Sequence, residues 1–580
     1  MNFVETPYFH VAHARDLKGR DRVLFRALEF FPGVLSWGTI ILIVTLSIYA
    51  PVAAAYFIIA FDLYWLLKTF YLSLHQRHNW KRLRHNMSVD WQAMLETLKY
   101  EHVHHLVILP FYKESRETVD AALRGLAESH YDRSRLLVVL AAEERAGTEA
   151  EAIATAMEEK YRAVFGSVLV SIHPDGLPGE IKGKGPNITY AAIQARDKII
   201  RARHIPYKHV IVSAFDIDTV VEPNYLNCLT WHFLTTEDRH NASYQPVPLY
   251  NNNIWDVPAI SRVAAFSSTL WQMIQQERAE KLTSFSSHAI SFKALERVGF
   301  WQKNMVSDDS RIFWNLFLAN NGNYRTVPIS YPVSMDATFA PSTLQTLVNV
   351  YRQQFRWLWG VENLPYMMFG FIKNKAIPLK QRVYHTLVQV EGWWSLATHP
   401  LIILLLGWLP LILGGEAFRD TVLSYNLPYI TRNLMIVAMS GLVLAAMIAF
   451  SFMPKLPEGD GDRKRPRWLR PLHGLLFAAL VAPYVLLLPV APDAVTAFID
   501  TYLEVFVTIS LVLLFVLIVL SCMSNRQLKY IGASAQWLLV PFSIVLFGAI
   551  PGLHAQTRLM LGAYVGQFWV TPKHRKEHTI

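Results

Sequence analysis

An α/β domain inserted into an α-helical bundle of about six membrane-spanning segments is the fold class that the sequence predicts. Hydrophobic residues make up 52% of the 580 residues and charged residues only 17%. The apolar residues are gathered in long blocks, as in integral membrane proteins that carry a polar domain. Between the blocks, from about 103 to 339, short β-rich runs alternate with amphipathic helical stretches. Such alternation is typical of a mostly parallel sheet covered by helices.

The first apolar block, at about 34–74, is long enough for two membrane-spanning helices that turn near Pro51, because one span takes about 20 residues. Basic residues crowd the stretch 75–85 that follows, which places this end of the second helix in the cytoplasm. Pro and Gly interrupt the apolar stretch 536–553. We expect a re-entrant or interfacial element there, which keeps the basic C-terminal tail cytoplasmic. Further spans are predicted at about 387–414, 432–453, 470–491 and 503–522.

The formal net charge of +10 is a balance that nucleic-acid-binding proteins also show. Because the basic residues lie beside apolar spans, we expect membrane lipid and no nucleic acid as a partner. An integral protein of a bacterial inner (plasma) membrane is expected. The predicted parts of the chain are a cytoplasmic N-terminal segment (1–33), two transmembrane helices (34–74), a cytoplasmic α/β domain (75–340), interfacial helices (341–385), transmembrane helices with the re-entrant segment (386–553) and a cytoplasmic C-terminal tail (554–580).

The last of the early strand runs ends just before Asp216-Ile217-Asp218. Such a strand places both carboxylates at the carboxyl edge of a parallel sheet, where ligands bind in open α/β folds. Their oxygens suit Mg²⁺ or Mn²⁺ on a diphosphate, and the alternative is a solvated turn. The strand runs are His105–Leu109, Leu136–Leu140, Val168–Ile172 and His209–Ala214.

Ser307-Asp308-Asp309 precedes an apolar-rich helical run. A carboxylate there can act as a general base that deprotonates an acceptor hydroxyl. Alternatively, these residues cap the helix and interact with its dipole.

Gln353, Arg356 and Trp357 share one side of a predicted amphipathic helix through i,i+3 and i,i+4 spacing. One hypothesis places this helix at the membrane interface, where Arg and Trp are favoured. In the other, Arg356 stabilises pyrophosphate charge and Trp357 stacks near an acceptor sugar.

Taken in order, these motifs resemble those of the membrane-integrated family-2 glycosyltransferases, which include the processive cellulose, chitin and hyaluronan synthases. The resemblance covers about 103–365. It implies a GT-A fold, a Rossmann-like mixed sheet, for the cytoplasmic domain. It also implies that Asp309 is the catalytic base with Asp308 beside it, and that the Q-x-x-R-W residues belong to the catalytic site. Asp218 is then the principal metal ligand, and Asp216 contacts the nucleotide sugar and the metal.

Further residues match nucleotide-sugar-binding motifs of the same family. Pro110, Tyr112 and Glu114 follow the opening strand, and Lys184 and Asn187 stand in the nucleotide loop. The C-terminal run Phe568-Trp569-Val570-Thr571-Pro572-Lys573 resembles the loop that covers the nucleotide in cellulose synthases, with Thr571 and Lys573 at the donor. A mobile basic segment of this kind could close over a diphosphate and exclude water. The alternative is a charged tail that only obeys the positive-inside rule.

The chain departs from the family pattern at two places. Ala141-Ala142-Glu143-Glu144 stands where the family has an Asp pair against uracil, so Glu143 is a candidate contact and the nucleobase stays open. Ser-Asp-Asp replaces Thr-Glu-Asp before the base. The segment 286–292, on the acceptor side, does not indicate which polysaccharide is made.

The expected function is inverting, metal-dependent transfer of a hexose from a nucleotide sugar to a growing polysaccharide at the cytoplasmic membrane face. The transfer is expected to be processive and coupled to export. A UDP-sugar is expected in preference to a GDP-sugar, with Mg²⁺ or Mn²⁺ as cofactor, a glycan or lipid as acceptor and accessory export proteins as partners. The alternative is transfer of one sugar to a membrane lipid without secretion. A transporter or scaffold with a degenerate domain is a third hypothesis, against which the intact carboxylates argue.

Overall fold

The computed structural model describes residues 2–431, 433, 434, 437 and 536–572. The predicted spans 470–491 and 503–522, nearly all of 432–453, and Lys573 lie outside these residues.

The α/β domain is built on one mixed sheet. Its strands are β1 His104–Phe111, β2 Leu136–Glu143, β3 Ser167–His173, β4 Val210–Ala214, β5 Val220–Val221, β6 Ala242–Tyr250, β7 Ala289–Ser291 and β8 Arg325–Met335. The order across the sheet is β3-β2-β1-β4-β7-β6-β8-β5. Strands β1 to β4 are parallel to their neighbours in that group, whereas β7 is antiparallel to both β4 and β6. The four predicted runs overlap β1–β4, which pair only in parallel with one another. In the other half of the sheet β6 and β8 are parallel, whereas β5 is antiparallel to β8.

Strand β1 shows why an unbroken apolar run becomes a central strand. Leu106 and Ile108 pack into one hydrophobic core, and Val107 and Leu109 pack into the other. Successive side chains of a strand point to opposite faces of the sheet. A strand that is covered by helices on both faces is therefore apolar at every position.

Helices cover both faces of the sheet and make up most of the described chain outside the α/β domain. They are α1 Gly19–Tyr49, α2 Pro51–Ser88, α3 Trp91–Glu96, α4 Arg116–Ala127, α5 Thr148–Tyr161, α6 Lys184–Ala195, α7 Tyr225–Thr235, α8 Ala259–Gln276, α9 Phe292–Val298, α10 Asp308–Ala319, α11 Thr343–Leu358, α12 Asn363–Lys373, α13 Leu379–Leu404, α14 Leu409–Leu413, α15 Gly415–Arg419, a helical stretch at 422–431 and the C-terminal helix Val540–Leu561.

Among the described residues, α1, α2 and the C-terminal helix are each long and apolar enough to cross a membrane. Helix α13 continues after a bend of 50° into 406–413, and this bent pair meets the same criterion together. Polar contacts join these helices. Ser36 Oγ donates a hydrogen bond to Gln556 Oε1 (2.6 Å), and Gln556 Nε2 donates to the carbonyl of Trp393 (2.8 Å). Hydrogen bonds of this kind connect helices where no water competes for the polar groups.

The part of 536–553 that lies within Val540–Leu561, where we expect a re-entrant or interfacial element, belongs to a helix that is long and apolar enough to cross a membrane. The backbone there is helical throughout, with a π-helical turn at Val545–Ala549. That turn comes just before Pro551, whose ring would clash with a carbonyl of the preceding turn in a regular α-helix. The wider turn accommodates the proline, so the helix continues where the sequence suggested a break.

Candidate active site

The loop after β4 carries the carboxylates of Asp216 and Asp218 at the carboxyl edge of the parallel strands. Asp216 lines a cleft of about 530 Å³ at this edge. Asp218 is wholly buried, and its Oδ2 accepts a hydrogen bond from the backbone N–H of Asp336 (2.9 Å). The solvated-turn alternative is therefore wrong for this motif, and of its two carboxylates it is Asp216 that faces the cleft.

Lys184, the first residue of α6, joins this loop to the predicted base. Its Nζ donates hydrogen bonds to Asp216 Oδ1 (2.8 Å) and to both carboxylate oxygens of Asp309 (3.0 and 3.1 Å). Burial by itself would lower the pKa of the Lys184 ammonium, but the charges of Asp216, Asp309 and Asp308 outweigh it and raise the pKa above its ordinary value. Lys184 is thus a permanent positive charge between two carboxylates.

Asp308 and Asp309 begin α10 but differ in access. The Asp309 side chain is 25% exposed, whereas Asp308 is only 2% exposed. Burial, followed by the charge of Asp309, raises the pKa of Asp308 to about 8. The raised pKa favours the neutral form of the Asp308 carboxyl, and Asp309 is the accessible carboxylate of the pair.

Ser307 does not cap α10 with its side chain, as the helix-cap hypothesis required. Its hydroxyl donates a hydrogen bond to Glu362 Oε1 (2.6 Å), and its backbone N–H donates to the same oxygen (3.0 Å). The start of the helix is thus attached to Glu362, which immediately precedes α12.

The segment 284–288 contacts both carboxylates from the other side. Ser286 Oγ donates to Asp216 Oδ2 (2.7 Å), and Ser284 Oγ donates to the backbone carbonyl of Asp309 (2.6 Å). The buried imidazole of His288 lies with Nδ1 3.7 Å from Asp309 Oδ1. Sequence reasoning missed these contacts, because small hydroxyl residues before a short strand give no distinctive signal.

Arg356, on α11, lines the cleft. Its guanidinium carbon lies 4.2 Å from the centroid of the Phe568 ring, and its Nε has no hydrogen-bond partner among the described residues. Burial lowers the pKa of Arg356, although Asp216 and Asp309 oppose this. A guanidinium with an unused donor beside a cleft is suited to bind an anion in that cleft.

The other two residues of the Q-x-x-R-W motif are not among those that line the cleft. Gln353 is buried, and its Oε1 accepts a hydrogen bond from Thr338 Oγ1 (2.8 Å). The ring of Trp357 packs at 5.8 Å from the ring of Tyr250. Gln353 thus attaches α11 to the segment that follows β8, and Trp357 packs against the end of β6.

The cleft collects most of the residues that the sequence predicts at the nucleotide sugar. Phe111, Ile217, Phe568 and Val570 also line it, without having been assigned a role from the sequence. Lys573 lies outside the described residues. The predicted residues in the wall are Pro110, Tyr112, Glu114, Glu143, Lys184, Asn187, Asp216 and Thr571.

One end of the cleft contains an ion pair that sequence reasoning missed. Arg145 donates to both carboxylate oxygens of Glu143 (2.5 and 3.0 Å), and its guanidinium carbon lies 4.5 Å from the centroid of the Tyr112 ring. Glu114 Oε2 accepts a hydrogen bond from the backbone N–H of Tyr112 (2.7 Å). Arg145 and Glu114 thus hold Glu143 and Tyr112 in place.

Asn187, on α6, is also almost wholly buried in this wall. Its Nδ2 donates to the carbonyl of Ala141 (2.7 Å), which fixes the amide in orientation. Its Oδ1 has no hydrogen-bond partner among the described residues. A buried acceptor without a partner is costly, so this oxygen is a candidate to receive an N–H from a ligand.

The C-terminal segment 567–572, which we call the C-terminal loop, lies against the cleft. The backbone N–H of Phe568 donates to the carbonyl of Lys182 (2.8 Å). Phe568 also lies so close to Gly183 that a Cβ on that glycine would be 2.5 Å from the Phe568 Cβ. Thr571 is buried in the cleft wall. Glycine at position 183 is therefore required by the close approach of this loop.

The carboxylates can be tested for their fit to a divalent metal. Among the described residues, no group of three or more His, Cys, Asp or Glu side chains converges on one point. Mg²⁺ commonly binds through one or two carboxylates together with the phosphates of a substrate. Asp216, which lines the cleft, fits such a role, whereas the carboxylate of Asp218 is buried behind the cleft wall.

Comparison with solved structures finds neighbours of low similarity, among them the following three. PcManGT, a mannosyltransferase from Pyrobaculum calidifontis in complex with GDP-Man and Mn²⁺, is 14% identical with a TM-score of 0.36, over 66% of this chain and 99% of that one. S. aureus TarS is 12% identical with a TM-score of 0.27, over 62% and 57%. TarS 1–349 in complex with UDP-GlcNAc is 13% identical with a TM-score of 0.27, over 58% and 91%.

Sequence comparison is more specific. No curated protein is significantly similar to the chain. Residues 211–453, however, match the sequence model of a family described as glycosyl transferase family group 2. The matched stretch begins in β4 and includes Asp216, Asp218, Asp309 and the Q-x-x-R-W motif. This part of the chain, which carries the carboxylates of the cleft, is thus similar in sequence to the family-2 glycosyltransferases.

Proposed function

We propose that the protein is an inverting glycosyltransferase that moves a sugar from a nucleoside-diphosphate sugar to a hydroxyl of a glycan. The observation that carries the proposal is that Lys184, Arg356 and Asp216 line one cleft and that Lys184 Nζ also donates hydrogen bonds to the carboxylate of Asp309. A glycosyltransferase site needs positive side chains that stabilise the departing diphosphate and a carboxylate that accepts the proton of the acceptor hydroxyl. Lys184 and Arg356 supply the positive charges, and Asp309 supplies the carboxylate.

Asp309 is the proposed general base. An acceptor hydroxyl gives its proton to the Asp309 carboxylate as its oxygen attacks the anomeric carbon. The bond between that carbon and the diphosphate oxygen breaks in the same displacement, and the diphosphate leaves with the bonding electrons. Attack from the side opposite the leaving group inverts the anomeric configuration. Asp308 is unsuited to this role, because burial favours the neutral form of its carboxyl.

Lys184 and Arg356 are proposed to receive the charge of the leaving diphosphate. Lys184 already donates to Asp216 and Asp309, so a diphosphate in the cleft would compete for the same ammonium. The Nε–H of Arg356 has no hydrogen-bond acceptor among the described residues and is available to a phosphate oxygen. Charge-assisted hydrogen bonds of this kind are about twice as strong as neutral ones, and they strengthen as charge develops on the leaving group. A divalent cation held by Asp216 with the donor phosphates would supply further neutralisation.

We infer a uridine nucleotide rather than a guanosine nucleotide. Asn187 offers one buried acceptor, Oδ1, while its Nδ2 is held by the carbonyl of Ala141. Uracil presents a single N–H between two carbonyls, which one acceptor satisfies. Guanine presents N1–H and the N2 amino group side by side, and one of these donors would stay unpaired at a cost of about 1–3 kcal/mol.

The proposed acceptor is a growing polysaccharide, extended processively at the cytoplasmic face of a bacterial inner membrane and exported through the transmembrane helices. Helix α11 supports this, since it connects the cleft to the membrane part. Arg356 lies on its cleft side, and Tyr351 Oη hydrogen-bonds with His554 Nδ1 (3.1 Å) on the C-terminal helix. The basic stretch 75–85 at the end of α2 supports the cytoplasmic orientation.

The decisive experiment uses purified protein in lipid nanodiscs with Mn²⁺ and a panel of radiolabelled UDP- and GDP-sugars. Label in a high-molecular-weight, glycosidase-sensitive product is expected with one UDP-sugar, and chelation by EDTA should abolish it until Mn²⁺ or Mg²⁺ is restored. Label confined to a solvent-extractable lipid would refute the polysaccharide acceptor. Release of no diphosphate from any donor would refute the enzymatic function itself.

A further inference from the structure

The N-terminal residues 2–17, which we call the strap, are packed into the α/β domain. Phe3, Phe9, Val11, Ala14 and Leu17 are buried in the same hydrophobic core as the apolar faces of α10 and α12. The sequence predicts only a cytoplasmic N-terminal segment for 1–33. The packing instead makes the strap part of the catalytic domain.

Side chains of the domain bind successive backbone carbonyls of the strap. Tyr366 Oη donates to the carbonyl of Phe9 (2.8 Å), and Gln302 Nε2 donates to the carbonyl of His10 (3.0 Å). Arg311 Nη1 donates to the carbonyl of Val11 (3.0 Å). Apolar packing alone would allow the strap to slide, whereas hydrogen bonds to three consecutive carbonyls fix its register.

Arg311 connects the strap to the helix of the proposed base. It stands two residues after Asp309 in the first turn of α10 and is wholly buried. It donates hydrogen bonds to the backbone carbonyls of Val11 and Glu362 (3.5 Å), to Gln302 Oε1 (3.1 Å) and to Asn363 Oδ1 (2.6 Å). Its guanidinium carbon lies 3.9 Å from the centroid of the Tyr366 ring. A buried guanidinium with so many directed contacts leaves the start of α10 little freedom.

The other end of the strap contacts the base of the C-terminal loop. The imidazole of His13 stacks on the ring of Tyr564, with centroids 4.0 Å apart and an interplanar angle of 16°. Glu29 joins the same two segments: its Oε1 accepts a hydrogen bond from the backbone N–H of Ala14 (3.0 Å), and its Oε2 accepts one from Tyr564 Oη (2.7 Å). Tyr564 precedes Phe568 by four residues, and Phe568 is the residue that pairs with Lys182 and stacks on Arg356.

We propose that the strap couples the position of Asp309 to closure of the C-terminal loop, with Arg311 and His13 as its positioning residues. Stacking of His13 on Tyr564 fixes the strap against the segment that leads into the C-terminal loop. The Val11 carbonyl of the same strap accepts a hydrogen bond from Arg311 and so fixes the start of α10, which carries Asp309. The positions of Asp309 and of the C-terminal loop are therefore set together. This inference rests on the proposed function for its catalytic meaning, but the mechanical coupling is a property of the fold and is tested without any substrate.

Hydrogen exchange of the protein in nanodiscs, followed by mass spectrometry, measures the coupling. In His13→Ala, amide exchange is expected to speed up several-fold in the peptide covering 565–572 and also in the first turn of α10. Arg311→Lys is expected to speed up exchange in the same two places. The matched control is His10→Ala, which removes an exposed side chain of the strap but keeps its carbonyl, and it should change neither. Faster exchange confined to the neighbourhood of each substitution would overturn the proposal.

Tyr366→Phe covers the case in which Arg311→Lys is not recovered folded, since it keeps the ring beside Arg311 and removes only the hydrogen bond to Phe9. A double-mutant cycle then tests whether the coupling affects catalysis. The effects of His13→Ala and Tyr366→Phe on the donor KM and on kcat are expected to be non-additive. Independent sites would give a double variant within about twofold of the product of the single effects, and that result would refute coupling even if the protein is a glycosyltransferase. If the unsubstituted protein has no glycosyltransferase activity, the proposed function is refuted, but the hydrogen-exchange test of the coupling is unaffected.

Discussion

A single methyl group at position 183 tests whether the C-terminal loop contributes to donor binding. Gly183 has an extended backbone, which alanine can also adopt, so Gly183→Ala introduces no backbone strain. Its new Cβ, however, would lie 2.5 Å from the Cβ of Phe568 and 3.2 Å from its Cγ. Because the Phe568 Cβ is attached directly to the backbone, the clash is relieved only when the loop moves away from the cleft.

The size of the effect follows from the contacts that the loop would lose. The hydrogen bond from the Phe568 N–H to the Lys182 carbonyl contributes about 0.5–1.5 kcal/mol. The stacking of Arg356 on Phe568 contributes about 0.5–2 kcal/mol. Together they stabilise the closed loop by about 1–3 kcal/mol, so we expect donor affinity to fall about 5- to 150-fold.

Isothermal titration of the donor nucleotide into the protein in nanodiscs measures this loss. Gly566→Ala is the matched control, because a Cβ there meets open space and the substitution lies next to the same loop. The thermal unfolding midpoint of Gly183→Ala should stay close to that of the unchanged protein, since the core is not altered. Unchanged nucleotide affinity in Gly183→Ala would refute a role for the loop in binding.

Three further substitutions test the roles of individual groups. Asp309→Asn should lower kcat by about 10²–10⁴-fold with little change in nucleotide affinity, and a loss below about tenfold in steady-state diphosphate release would assign the proton to another group. Arg356→Gln should lower kcat/KM by about 10- to 100-fold, as expected for a charge-assisted hydrogen bond, while an unchanged value would remove Arg356 from the leaving-group site. Folding holds the Asp308 carboxyl neutral up to a pKa of about 8, but the unfolded chain ionises it near pH 4. The native state therefore binds the extra proton, and the free energy of unfolding should fall as the pH rises from about 4 to 8. Asp308→Asn, which stays neutral at every pH, should reduce that slope in thermal unfolding at pH 6 and pH 8, and an unchanged slope would contradict the raised pKa.

Strands β1, β2 and β4 could be predicted because each is buried on both faces and therefore mostly apolar, and β3, a partly exposed edge strand, because of its run Val168–Val170. The other half of the sheet could not. Strand β7 has only the residues Ala289–Ser291, and β8 contains prolines at 328 and 332. Neither has a local pattern that distinguishes it from a loop, and their pairing depends on contacts distant in the chain.

The residues of the candidate site also fall into those that the local sequence indicates and those that only distant contacts reveal. Asp216-Ile217-Asp218 could be singled out from residue type and its position after an apolar strand, whereas Asn187 was indicated only by its resemblance to a family motif. Arg145 and Ser286 could not be singled out, because each acts through a partner that a loop conformation brings to it. The helix-cap hypothesis for Ser307 failed for a related reason: Glu362, more than fifty residues away, accepts the hydroxyl hydrogen bond instead.

By itself the sequence determined which segments are apolar enough for the sheet and for membrane helices, and which carboxylates and cations are available for chemistry. Those properties belong to single residues and their neighbours, so they can be deduced without a fold. Only the tertiary structure decided that Lys184 bridges Asp216 and Asp309, that Asp308 is buried while Asp309 is accessible, and that residues 2–17 pack beside the helix of the proposed base. Burial and electrostatic coupling depend on groups brought together from distant parts of the chain, and they set the charge state and the access of each side chain.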